Sequence, residues 1–129
     1  MILVIRSNSP DVYIGLWSEG EEIVQKSWQA GRELSGQILD VITALCEQAN
    51  SSLEKLSGIV VYEGPGSYTG LRISMSVANA LGSSLSIPVA ATSGDSWQQL
   101  GLKNLQNLSD FHPVSPVYGG KVYTTKPRK

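Results

Sequence analysis

The sequence predicts one α/β domain built on a mixed sheet, in which an antiparallel three-strand meander is followed by parallel strands with flanking helices. Three observations carry that prediction. Residues 1–28 hold three strand-like runs separated by turn clusters, the hydrophobic period becomes helical from Glu33, and two later apolar runs are short and continuous, as covered strands are. A meander, then helix, strand, helix, strand, helix is the order of such a domain. With 129 residues, 41% hydrophobic and 16% charged, the chain fits one core and not two full domains.

Each element has its own signal. Met1 to Arg6 is an apolar, β-branched run, and Ser7-Asn8-Ser9-Pro10-Asp11 is a dense turn cluster leading into a second strand at Val12 to Trp17. A second turn at Ser18 to Glu21 gives way to Ile23 to Trp28, a third strand with partial alternation. Leu34, Ile38, Val41, Ile42, Leu45 and Ala49 then recur at three- and four-residue spacing, on one face of an amphipathic helix. Asn50-Ser51-Ser52 ends that helix, and Ser52 is a candidate cap for a short turn at Leu53 to Leu56. Gly58 to Tyr62 reads as the first interior parallel strand, Leu71 to Leu85 as a second helix and Ile87 to Ala91 as a further strand. Ser93 is a candidate cap for a last helix through Trp97 and Leu100, Asn104 to Pro116 reads as loop, and Val122 to Thr125 is a candidate final strand. The domain is expected to span residues 1–112, with 113–129 a basic C-terminal tail.

Composition narrows the function classes. No run approaches the roughly eighteen apolar residues of a membrane span, and the opening Met1-Ile2-Leu3-Val4-Ile5 has no basic segment before it, so a cytoplasmic protein without membrane contact is expected. A lone Cys46 and a lone His112 leave no internal disulfide and no Cys/His zinc cluster, and neither metal nor cofactor is expected. The net charge of -1 hides an asymmetry: all 11 acidic residues lie at or before Asp110, while Lys121, Lys126, Arg128 and Lys129 crowd the end. That tail reads as a solvated terminus, with salt-dependent contact to RNA phosphates as the alternative.

Between the buried strand and the second helix lies Glu63-Gly64-Pro65-Gly66-Ser67-Tyr68-Thr69-Gly70. A glycine-rich turn there aims backbone amides and the positive helix end at one spot, the general recipe for holding an anion. The spacing fits neither standard phosphate fingerprint, because no Lys follows the last glycine, and Gly64, Gly66 and Gly70 miss G-x-G-x-x-G by one residue. A tight turn stiffened by Pro65 explains the same residues, and both readings stand. Arg72, in the predicted first helical turn, opposes the helix dipole by roughly 0.3–1 kcal/mol, so a fixed partner is expected for it, Glu63 being one candidate.

The run from Gly64 to Arg72, GPGSYTGLR, resembles the signature G-P-G-S-[FY]-T-G-[LV]-R of the TsaB (YeaZ) family, and Ile87 to Ser93 resembles that family's I-P-V-x-x-x-S strand. With the meander and the helix from Glu33 in the family's order, the resemblance covers about residues 1–100. It implies the actin-like, ribonuclease H-like ATPase fold. It also implies a place beside the catalytic subunit TsaD in making threonylcarbamoyladenosine in tRNA, with a TsaE-type ATPase and tRNA as indirect participants. The family's subunit supports its paralogue and is not itself the transferase.

The chain departs from the family in three places. Relatives carry Asp after the first strand, where active actin-like ATPases orient metal and phosphates; here Arg6-Ser7 stands there, and a cation cannot replace a carboxylate toward magnesium. The family's His-Ser-Glu at the first long helix is Leu34-Ser35-Gly36. Relatives continue into a second lobe, which begins near Gly120 to Tyr123, so residues 113–129 are expected to be a remnant of its start. A nucleotide site formed between two lobes is then incomplete.

The second helix carries apolar residues at Leu71, Met75, Ala78 and Leu85 and again at Ile73, Val77, Ala80 and Leu81, more than half its circumference, with small Gly70, Ser74, Ser76, Gly82 and Ser83 among them. One face packs on the sheet and the other calls for cover. Leu34, Ile38, Leu71, Met75, Ala78 and Gly82 are the expected partner interface, toward a TsaD-type paralogue or a second copy of this chain; cover by the chain's own helices is the alternative. The second expected site is the glycine loop: Gly64, Pro65, Gly66, Ser67, Tyr68, Thr69, Gly70 and Arg72. No catalytic residue is expected, since Ser67 and His112 lack a G-x-S-x-G elbow and Cys46 lacks a base, while Trp17, Trp28 and Trp97 are scattered along the sequence, which favours core packing over a base-stacking platform. The expected function is a non-catalytic dimerising partner in tRNA threonylcarbamoylation. A degenerate ATP-binding or acyl-transfer enzyme and a homodimeric regulatory protein are the alternatives.

Overall fold

A computed structural model describes residues 1–7, 11–30, 34–66 and 68–117, without the side chains of Leu34, Ser35 and Tyr68. Strands β1 (Ile2–Arg6), β2 (Asp11–Ser18), β3 (Glu21–Gln29), β4 (Gly58–Tyr62) and β5 (Val89–Thr92) form one sheet in the order β3-β2-β1-β4-β5. The β1–β2 and β2–β3 pairs are antiparallel, and the β1–β4 and β4–β5 pairs are parallel, as the meander-then-crossover pattern predicts. Helices α1 (Leu34–Gln48), α2 (Tyr68–Leu85) and α3 (Trp97–Leu105) complete the order, with a 3₁₀ turn at Leu53–Lys55.

Burial explains why the central strands read as continuous apolar runs. Leu3, Val4 and Ile5 are each fully buried, so β1 is covered on both faces. Leu3 and Ile5 meet Ile38, Ile42 and Leu45 of α1 and Met75 and Ala78 of α2 on one side. Val4 meets Val60, Ala90 and, from α3, Trp97 and Leu105 on the other. All of β4 is buried, whereas β3, at the sheet edge, half-buries only Val24 and Trp28. Its partial alternation has that cause: one face rests against the α1 side and the other meets water.

Helix ends follow local chemistry. After α1, Asn50 takes φ +55, the Asn50 N–H donates to Glu47 O at 3.0 Å and the Ser51 N–H to Cys46 O at 2.8 Å. This is a left-handed C-terminal cap, and asparagine is one of the few residues that adopt it cheaply. The same device closes α2, where Ser86 takes φ +57 and the Ile87 N–H reaches Gly82 O at 3.0 Å.

Several expectations need correction. α2 begins at Tyr68, inside the glycine motif and not at Leu71, because complete burial of Leu71 outweighs the poor helix propensity of Gly70. Ser52 does precede the 3₁₀ turn but makes no side-chain cap hydrogen bond. Ser93 is not the cap of α3; that position belongs to Ser96, after a turn at Gly94 with φ +92. Trp17 and Trp97, far apart in sequence, come together in one buried cluster with Tyr62 and the flanking Tyr13, which agrees with the core-packing expectation though not with their being scattered. Beyond the expected boundary at residue 112, Val114 and Val117 are hydrogen-bonded to Asn79 and Glu63. The candidate strand at Val122 to Thr125 and the basic residues Lys121, Lys126, Arg128 and Lys129 lie outside the described residues.

Candidate functional site

Three parallel strands end at the same edge of the sheet, so β1 delivers Arg6 and Ser7, β4 delivers Tyr62 and Glu63, and β5 delivers Thr92 and Ser93 to one place. In α/β folds this carboxyl edge is where ligands meet the loops. The glycine turn leaves β4 there and enters α2. Gly64 takes φ +117, and a Cβ on it would collide with the Val117 carbonyl oxygen, so only glycine fits. The Gly64–Pro65 bond is cis.

The side chains around the turn interlock. Tyr62 Oη donates to Pro65 O at 3.4 Å, and the Ser93 hydroxyl donates to Glu63 Oε2 at 3.4 Å. Glu63 is thus engaged by Ser93, while its backbone N–H donates to Thr92 O at 2.8 Å. The Arg6 guanidinium lies 4.1 Å from the centre of the Tyr62 ring, a cation–π contact, and Trp97 meets both Tyr62 and Tyr13 edge-on. Ser7 is fully buried, and its Oγ has no hydrogen-bond partner among the described residues.

Beside this edge an open cleft of about 460 Å³ is lined by Arg6, Asp11, Tyr13, Ser27 and Gln29. The cross-strand register groups them, pairing Arg6 with Tyr13, Tyr13 with Ser27 and Asp11 with Gln29. Of these only Arg6 stands out in the sequence, because alternation on each strand is visible there while the register between strands is not. The Tyr13 hydroxyl donates to Glu22 and accepts from Trp17 Nε1 at 2.9 Å. Burial first, then the Glu22 carboxylate, pushes its pKa well above the ordinary phenol value. Burial, reinforced by the charge of Glu54, also pushes the Cys46 thiol up, so the reactive thiolate is disfavoured.

The predicted site residues separate into two groups. Gly64, Pro65, Gly66, Thr69, Gly70 and Arg72 do gather at the carboxyl edge, whereas Ser67 and the side chain of Tyr68 lie outside the described residues. Arg72 is exposed and, because α2 starts at Tyr68, sits in the second turn, beyond the reach of the dipole argument made for it. The expected interface is different. Ile38, Leu71, Met75, Ala78 and Gly82 are all buried in the domain's own core, and the side chain of Leu34 lies outside the described residues. They cannot form an exposed face. Among the described residues no group of three or more His, Cys, Asp or Glu is placed to hold a metal ion, and no helix is long and apolar enough to cross a membrane.

Comparison with known proteins agrees with this geometry. The family model of TsaD, tRNA N6-adenosine threonylcarbamoyltransferase, matches residues 27–94, just over half of the chain. The tRNA threonylcarbamoyladenosine biosynthesis protein TsaB of Bacillus subtilis (strain 168) is 30% identical over 123 residues, covering 95% of this chain and 53% of that protein. Among solved structures, YeaZ from Pseudomonas aeruginosa superposes with a TM-score of 0.67 at 24% identity, covering 78% of this chain and 49% of its own. An uncharacterized protein with similarity to peptidase YeaZ from Pseudomonas aeruginosa also gives 0.67, at 26% identity, with coverages of 71% and 42%. The chain therefore spans about half the length of these relatives. With the sheet order, the glycine turn and these matches in agreement, the chain belongs to the TsaD family, as a TsaB/YeaZ-like protein of the actin-like, ribonuclease H-like fold.

Proposed function

We propose that this chain acts in the formation of threonylcarbamoyladenosine in tRNA as a non-catalytic cytoplasmic partner, binding and supporting a TsaD-type catalytic subunit, with a TsaE-type ATPase and tRNA as indirect participants. The observation that carries the reading is the outward face of α2. Its exposed positions are Thr69, Arg72, Ser76, Ala80, Ser83 and Ser84, and Arg72 is the one charged residue in the helix. Ile73, Val77, Leu81 and Leu85 stand half-buried beside them at four-residue spacing, and Leu39 of α1 is 46% exposed. Such a face suits close packing against another helix. Arg6-Ser7 in place of the relatives' Asp supports a non-catalytic role.

The interface is accordingly assigned to Leu39, Ile73, Ser76, Val77 and Ala80, in place of the buried set. Mixing the chain with the TsaD-type protein of its host and measuring the mass of the complex tests this, with Ala80→Arg as the interface variant. Loss of the complex in a variant that melts like wild type supports the assignment; a complex unaffected by that side chain excludes this face. A second reading, a degenerate nucleotide-binding protein completed by another chain, draws on the glycine turn at the start of an 18-residue helix and on the buried Ser7 Oγ, which has no partner among the described residues. Magnesium-dependent ATP binding by calorimetry would favour it.

A further inference from the structure

Residues 111–117 run along α2 toward the glycine turn, and three attachments hold them. The Asn79 side chain donates through Nδ2 to Val114 O at 2.9 Å and accepts the Val114 N–H at Oδ1 at 2.9 Å, the pair of bonds that a neighbouring strand would make. Upstream, Phe111 lies against Gly82, where a Cβ would come within 2.7 Å of the Phe111 ring and 2.5 Å of Val89 Cγ2. Downstream, the Val117 N–H donates to Glu63 O at 2.6 Å, and the Val117 carbonyl fills the space that a side chain on Gly64 would occupy. Pro113 and Pro116 flank the clamped residue and favour extended backbone, while removing two N–H groups that would otherwise need partners.

We infer that residues 111–117 form a strap that couples α2 to the glycine turn, with Asn79 as its positioning residue. The turn is not held by β4 and α2 alone. The Glu63 carbonyl accepts a hydrogen bond from the strap, and the unusual φ of Gly64 leaves the space in which the strap lies. Asn79 sits in the middle of α2 and fixes the strap in both donor and acceptor senses, so a shift of α2 is passed to Glu63 and Gly64 through the two Asn79–Val114 hydrogen bonds, the intervening backbone and the Val117–Glu63 hydrogen bond. Occupation of the turn is passed back the same way. This inference does not depend on which partner covers α2.

Residue-resolved amide hydrogen exchange on the full chain tests it. In Asn79→Ala the amides of Val114 and Val117 are both expected to exchange about tenfold faster or more, while those of β1 and α1 keep wild-type protection. Loss of protection at Val114 with Val117 unchanged overturns the coupling. Val117→Pro probes the opposite direction at a residue that is 52% exposed, so the core is not disturbed. It replaces the N–H that serves Glu63 with a ring carbon and so breaks that bond, and coupling requires Val114 exchange to rise as well. A Val114 amide indifferent to Val117→Pro refutes the inference even if Asn79→Ala fails to fold.

Discussion

Alanine in place of Gly64 isolates what the strap contributes to the fold. The residue has φ +117, a conformation costing an L-residue about 1–3 kcal/mol. Its new Cβ would overlap the Val117 carbonyl oxygen and also approach Leu71 Cδ1 at 3.1 Å. Leu71 is fully buried and cannot retreat, so the strap must lift and the Val117–Glu63 hydrogen bond is lost, adding roughly 1 kcal/mol. The sum is about 3 kcal/mol, or a Tm lowered by about 10 °C for a domain of this size. Gly20→Ala is the comparator: φ is +80, but nothing lies within 4 Å of the added Cβ, so it carries the dihedral penalty alone. Urea titrations of both variants, followed by tryptophan fluorescence, give the difference directly. Equal destabilisation by the two would show that the strap exerts no hold on the turn.

Other substitutions test the core, the caps and the ionisation of Tyr13. Gly36→Ala, in α1 with open space around the added Cβ, is expected to raise stability by about 0.5–1 kcal/mol in the same titration. Ser86→Gly relieves a left-handed serine at the end of α2, and a gain of about 1 kcal/mol is expected. Met75→Arg places a charge in a site only 3% exposed and should cost about 4 kcal/mol or more, seen as loss of the cooperative melt, whereas Ala80→Arg should alter stability by no more than about 0.5 kcal/mol. The folded pKa of Tyr13 lies above its unfolded value, so the unfolded chain releases the proton first as pH rises. The stability this contributes is complete below about pH 10 and falls above it. A Tyr13→Phe variant should lose that alkaline slope in melts recorded between about pH 9 and 11; an unchanged slope would assign it elsewhere.

Much of the fold was legible because period and burial coincide. The run Gly58 to Tyr62 could only be an interior strand, and all five of its residues are buried. The meander was equally clear, since turn clusters separate its strands and the pairing is between neighbours in sequence. The glycine turn was found from its own residues. What failed were positions decided by tertiary contact. Ser93 has good cap chemistry, yet its hydroxyl is drawn to Glu63, 30 residues away, and local propensity carries no record of that. Residues 111–117 are loop, as their composition indicates, but their attachment to Asn79 and Glu63 is not legible, because both partners lie far earlier in the sequence.

The proposed shift of the interface has the most general cause. A helix with apolar residues on two faces announces that both will be covered, but 3.6-residue periodicity does not say which face meets the sheet. Two apolar sets were available on α2, and the structure buries Leu71, Met75 and Ala78 while leaving Ile73, Val77 and Leu81 at the flank. The discriminating signal lay in the polar residues between the sets. Helix positions facing only water readily carry Lys or Glu, whereas a charge on a face that a partner will bury must first be stripped of water. The outward face of α2 carries serine, threonine and alanine, with Arg72 near its N-terminal end. On α1, by contrast, Asp40 and Glu47 flank the groove toward β3. The uncharged face is thus the one whose burial costs least in desolvation, and its small side chains allow a neighbouring backbone to come close.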